Sequence, residues 1–140
     1  MTEEVVGRSE RARTHAYDRV QELDERIVEL ARRRREIEAQ IIEGRGSGVE
    51  QLRIAHANVD RARLAAGAAA ERAAVAEESS AAVHDRAAAL HENLADAGVG
   101  DADEHRRRAD EHRRAARHDR EVAQQERAEA DRRRHPTVSP

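Results

Sequence analysis

The sequence predicts an all-α protein: an elongated antiparallel coiled coil, or three-helix bundle, built around a long alanine-rich central helix. Three observations carry that prediction. Apolar residues recur in alternating steps of three and four, the spacing that keeps a stripe on one helix face. Two glycine clusters, Gly44-Arg45-Gly46-Ser47-Gly48 and Gly98-Val99-Gly100, cut this pattern into three segments. The β-formers are too few for a sheet: five Ile, eleven Val, one Tyr and no Phe or Trp in 140 residues.

The first helix is predicted over about 3–43. Val20, Leu23, Ile27, Leu30, Ile37 and Ile41 form its strong seam, with Arg34 at the skipped position. This is a heptad with a at 20, 27, 34 and 41 and d at 23, 30 and 37, and Arg34 is a polar a residue of the kind that fixes register. Upstream the stripe weakens through Ala16, Arg13, Ser9 and Val6. The glycines near 44–48 end the helix, and Ser47 with Glu50 has the spacing of a capping box for the next.

The second helix is predicted over about 48–97. Its stripe runs Leu52, Ala55, Val59, Ala62, Ala66, Ala69, Ala73, Ala76, Ser80, Val83, Ala87, Leu90, Leu94 and Ala97, with small residues in the middle. Small seam residues let helix axes approach closely. Gly67 interrupts the run and costs up to about 1 kcal/mol in helix propensity against Ala. It is expected to mark a weak point or a close contact.

The third helix is predicted over about 101–134, opened by a capping box of Asp101 and Glu104. Its candidate seam is Ala102, His105, Ala109, His112, Ala116, Asp119, Ala123, Glu126 and Ala130. Pro136 stops the helix, leaving residues 136–140 as an expected disordered tail after a single domain of residues 1–135. Connectors this short favour antiparallel neighbours. Folding back around Gly46 sets Leu23 near Ala68. Folding back around Val99 sets Ala109 near Ala89, His91 opposite Arg107 and Arg108, and His105 opposite Asn93 and Leu94. No four-histidine cluster is expected from that register.

Alanine supplies 29 of the 53 hydrophobic residues, so burial per residue is small and tertiary stability is expected to be marginal. All 26 basic residues other than His are Arg, against 29 acids, which is the bias of a GC-rich genome. The two signs interleave, unlike a disordered charge block. The acidic start lacks a secretory signal, and no apolar run spans a membrane, so the expected location is the cytoplasm. Cysteine is absent, which excludes disulfides and thiolate metal sites.

No catalytic residue, cofactor or metal ligand is assigned. Gly-x-Ser-x-Gly, P-loop, dinucleotide, His-Glu-x-x-His and Glu-x-x-His patterns are all missing. His84 and His91, like His105 and His112, are seven apart, too far to share one metal along a helix. His105 and His112 on the third seam are instead expected to respond to pH. Residues 106–134 hold 11 Arg and 7 acids, so Arg106, Arg107, Arg108, Arg113, Arg114 and Arg117 are candidate nucleic-acid contacts. No aromatic stacking platform, zinc-finger spacing or helix-turn-helix pattern accompanies them.

The stretch Ala81-Ala82-Val83-His84-Asp85-Arg86-Ala87-Ala88-Ala89-Leu90-His91-Glu92-Asn93-Leu94, followed by Glu104-His105-Arg106-Arg107-Arg108-Ala109-Asp110-Glu111-His112-Arg113-Arg114-Ala115, resembles uncharacterised actinobacterial helical proteins rich in Ala, Arg and His. The resemblance covers about residues 81–131 and implies a coiled coil, with no activity and no site.

The sequence thus predicts a non-enzymatic interaction or scaffolding protein that works by helix–helix self-association, a dimer first, or by binding a partner helix. Its interface would be Val20, Leu23, Ile27, Leu30, Arg34, Ile37 and Ile41. The alternative is a nucleic-acid-associated accessory protein using the Arg-rich third helix. Neither a membrane nor a small-molecule substrate is expected.

Overall fold

The computed structural model describes residues 2–45 and 48–137. It contains three helices: α1 (Thr2–Ile42), α2 (Val49–Asp96) and α3 (Ala102–Arg134). Ser47 of the expected capping box and residues 138–140 of the expected tail lie outside the described residues.

Each turn is built from the glycines that interrupt the pattern. Gly44 and Gly98 both have φ of +68°, the left-handed conformation that favours glycine. At the end of α2, the Gly98 amide donates to the Ala95 carbonyl and the Val99 amide to Leu94. The same pair of bonds closes α1, from Gly44 to Ile41 and from Arg45 to Gln40. Both are Schellman ends, which satisfy carbonyls that the helix leaves orphaned. Gly48, with no side-chain cap, starts α2. Asp101 caps α3, its carboxylate accepting from the Asp103 and Glu104 amides. The expected capping box is only half formed. Glu104 turns away to Arg107 and Arg108, which hold its carboxyl down at about 2.

α2 is the spine, with α1 and α3 packed along it and no backbone approach within 8 Å between α1 and α3 among the described residues. A helix flanked by two others must bury two stripes, and α2 does. One is the predicted stripe, with Ala55, Val59, Ala62, Ala66, Ala69, Ala73 and Ser80 buried. Val20 and Leu23 of α1 pack there, joined by Ala16 and Ile27. The second lies one residue along: Gly67, Ala70, Ala74, Glu77, Ala81, Ala88 and Ala95 are also buried. Of the predicted stripe, Leu90 and Ala97 are exposed instead. On α3, Ala109, Ala116, Asp119, Ala123 and Ala130 are buried, as their spacing predicts.

Heptad-spaced ion pairs flank the α2–α3 seam. Glu71 and Glu78 meet Arg127, Asp85 meets Arg120, and Glu92 meets Arg113. These exposed pairs each add little stability, but seven-residue repeats of opposite sign on the two helices favour the meeting of these two faces. The His84–His112 and His91–His105 contacts centre the hairpin on Gly98 rather than Val99, which slides α3 by two residues from the predicted alignment. His91 faces His105, not Arg107 and Arg108.

Gly67 is a close contact. A β-carbon there would lie 2.8 Å from Arg134 Cγ and 3.2 Å from the Ala130 carbonyl oxygen. Gly67→Ala should therefore lower stability by about 1 kcal/mol, overpacking outweighing the gain in helix propensity. Removing the Arg134 side chain as well should recover part of the loss. Thermal melts by circular dichroism check this, and a Gly67→Ala chain more stable than wild type would contradict it.

Candidate functional site

The polar centre of the molecule is where all three helices meet. Glu77 on α2 and Asp119 on α3 are only 2% and 3% exposed. Arg13 of α1 reaches between them, its Nη1 3.0 Å from Asp119 Oδ1 and 3.4 Å from Glu77 Oε2. The Tyr17 hydroxyl donates to Glu77 Oε1 at 2.9 Å. Burial, then the neighbouring Glu77, pushes the Tyr17 phenol well above its ordinary range. A second link from α1 to α3 lies farther along, where Arg133 makes a two-pronged bond to Asp24 at 2.9 and 2.7 Å. Asp119 Oδ2 remains buried without a hydrogen-bond partner. It faces His84 Nε2 at 3.8 Å.

From that point a row of four imidazoles runs up the α2–α3 seam, correcting the expectation that no such cluster forms. His84 Nδ1 lies 3.0 Å from His112 Nδ1, and His91 Nδ1 lies 3.0 Å from His105 Nδ1. His91 and His112 stack between the pairs at 13° and 5.6 Å. The four are half-buried. The cause is the second stripe of α2, which puts His84 and His91 on the seam with α3. Burial lowers the His112 pKa below its ordinary value, helped by His84 and His91. Burial and then His105 do the same for His91.

His105 and His112 thus occupy the seam that their spacing predicts, with partners that the spacing does not reveal. Glu77 and Arg13 were legible only as a polar residue in an alanine helix and a weak seam position. The usable signal was their matched height with Asp119 across short turns.

The other predicted residues separate. Val20 and Leu23 are buried inside the chain, at 7% and 6% exposure, and so are spent on α2 rather than left for a partner. Ile27, Leu30, Arg34, Ile37 and Ile41 are half-buried. Arg34 lies near Glu38, 3.8 Å from Nε to Oε1. Of the candidate nucleic-acid contacts, Arg106, Arg107, Arg108 and Arg113 are paired with Asp103, Glu104, Glu111, Asp110 and Glu92. Arg114 and Arg117 are exposed.

An open groove between α1 and α2, lined by Arg19, Leu23, Arg26, Leu30 and Arg61, is a surface furrow with no convergent acid, base or nucleophile pair. Among the described residues no three His, Asp or Glu side chains converge as a ready-made metal centre. No helix there is long and apolar enough to cross a membrane.

Fold and site together define an elongated all-α bundle, a spine helix with two antiparallel flanking helices locked by a buried ionic junction. No protein-family profile matches the chain, and no curated protein and no solved structure is significantly similar to it.

Proposed function

We propose that this is a non-enzymatic helical interaction protein that self-associates through the end of the bundle that α3 does not reach. One observation carries this reading. α3 ends at Arg134, level with Gly67, while α1 and α2 continue together to the turn near residue 44. The first 18 residues of α2, about 27 Å, have a single flanking helix.

The large aliphatic residues are concentrated there. Ile27, Leu30, Ile37, Ile41 and Leu52 are half-covered, and Val28, Ile42, Ile54 and Leu64 are exposed. α3, by contrast, carries Val122 as its one large aliphatic residue. Apolar surface is thus in surplus where a third helix is missing, the arrangement expected of an interaction surface. A second copy fits the charge pattern. Residues 29–43 hold four Arg and four Glu, interleaved, so two such faces can meet without accumulating charge. Two hairpins side by side would complete a four-helix section.

The test is solution mass by light scattering. The wild-type chain should run at twice 15.7 kDa at micromolar concentration, and Leu30→Asp with Ile37→Asp should return it to 15.7 kDa with helicity retained. A wild-type monomer at 100-fold higher concentration, in low and high salt, would overturn the reading. The nucleic-acid alternative has mainly Arg114 and Arg117 to draw on, because the other candidate arginines are engaged by carboxylates.

A further inference from the structure

We propose that the facing histidine pairs of the α2–α3 seam are binding sites for a borderline transition-metal cation such as Zn2+, Ni2+ or Cu2+, one cation per pair and the tighter one at His84–His112. The argument begins with the separation of the ring nitrogens. Metal–imidazole bonds are about 2.0–2.1 Å, so two nitrogens on one cation sit about 2.9 Å apart at a right angle and about 3.4 Å apart in a tetrahedron. Both pairs present Nδ1 to Nδ1 at 3.0 Å, inside that range, without any movement of the helices.

The two ligands of each pair come from different helices. Spacing along one helix, which places His84 and His91 too far apart, is therefore no obstacle. The four rings are half-buried, so each cation keeps an open side for the water ligands that complete its shell.

Asp119 distinguishes the two pairs. Its Oδ2 is buried, lacks a hydrogen-bond partner and faces His84 Nε2 at 3.8 Å. Its other oxygen is anchored by Arg13. A carboxylate at that nitrogen favours the tautomer with the proton on Nε2, which leaves the Nδ1 lone pair directed at the site. This is the carboxylate–histidine arrangement that orients metal-binding imidazoles and raises their basicity. Among the described residues His91 and His105 have no buried carboxylate behind them, so their site is the weaker one. Nitrogen ligands with no converging carboxylate select against Mg2+ and Ca2+, which take oxygen.

Calorimetric titration of the full chain with ZnCl2 at pH 7.5 tests this. Two binding events are expected, the tighter lost in His84→Gln, the weaker in His105→Gln, and both kept in His118→Gln on the exposed face of α3. MgCl2 should give no event. Because zinc would bridge two helices of the folded state only, excess ZnCl2 should raise Tm by about 5 °C. Electron paramagnetic resonance of the Cu2+-loaded wild-type chain gives a readout independent of whether the variants fold, with two equatorial nitrogens per copper expected. Zinc binding no tighter than magnesium, an isotherm unchanged in the His84→Gln/His105→Gln double variant, or an oxygen-only copper signal would overturn the proposal. A one-to-one stoichiometry lost in His84→Gln would overturn its His91–His105 half.

Discussion

Replacing Arg13 by alanine should cost about 3–5 kcal/mol of stability, the range for breaking a buried ion pair by removing one partner. Two carboxylates, Glu77 and Asp119, share that guanidinium and are almost wholly shielded from water. Without Arg13 they remain buried, of like charge and unneutralised. The loss is a large part of the about 5–15 kcal/mol that holds a typical domain together, so α1 should come off the spine at ordinary temperature. Chemical denaturation followed by circular dichroism measures it. The companion experiment replaces Arg13, Glu77 and Asp119 together by leucine. That chain should be at least as stable as wild type, because desolvating three charges offsets most of what their attraction returns. An Arg13→Ala chain with wild-type stability would mean that the three-helix junction is not held by this cluster.

The second large effect separates the two ends of the α1 stripe. Leu23→Asp should cost at least the about 2–5 kcal/mol of a core Leu→Ala change, since it also places a carboxylate against the alanines of α2. Ile37→Asp, two heptads farther along the same seam, should leave the folded chain intact at low concentration and remove the concentration dependence of Tm. The periodicity treats these two residues alike. They differ because Leu23 lies among Ala66, Ala69, Ala70 and Ala73 with α3 overhead, whereas Ile37 lies beyond the last residue of α3. Equal destabilisation by both changes at low concentration would contradict the division between core and interaction surface.

How far the sequence could be read depended on side-chain contrast. Where seam and flank residues differ in kind, the reading was sound. On α3, alanine alternates with charge, and each alanine from Ala109 to Ala130 on the predicted stripe is buried. On α1, Val20 and Leu23 stand out among charged neighbours and are buried. On α2 the contrast vanishes. Residues 65–70 and 73–74 are all alanine apart from Gly67, so two stripes one residue apart fit the same letters. Choosing one stripe hid the other, and with it the positions of His84 and His91.

A clue to the second stripe was present in the charges. Glu71, Glu78, Asp85 and Glu92 repeat every seven residues, as do Arg113, Arg120 and Arg127. Those repeats mark the face of α2 that meets α3, beside the stripe that carries His84 and His91. The capping residue Asp101 was equally legible, but the fate of Glu104 was not, because Arg107 and Arg108 compete for it one turn away.

By itself the sequence determined the helices, their ends and their antiparallel order. Those follow from local propensity, glycine conformation and connector length, which act within a few residues. Only the tertiary structure decided which face of an almost uniform alanine helix meets which neighbour. That choice depends on how close two backbones can come and on which long side chains then reach across. From it follow the burial of Glu77 and Asp119, the row of histidines, and the bare aliphatic end where α3 stops short.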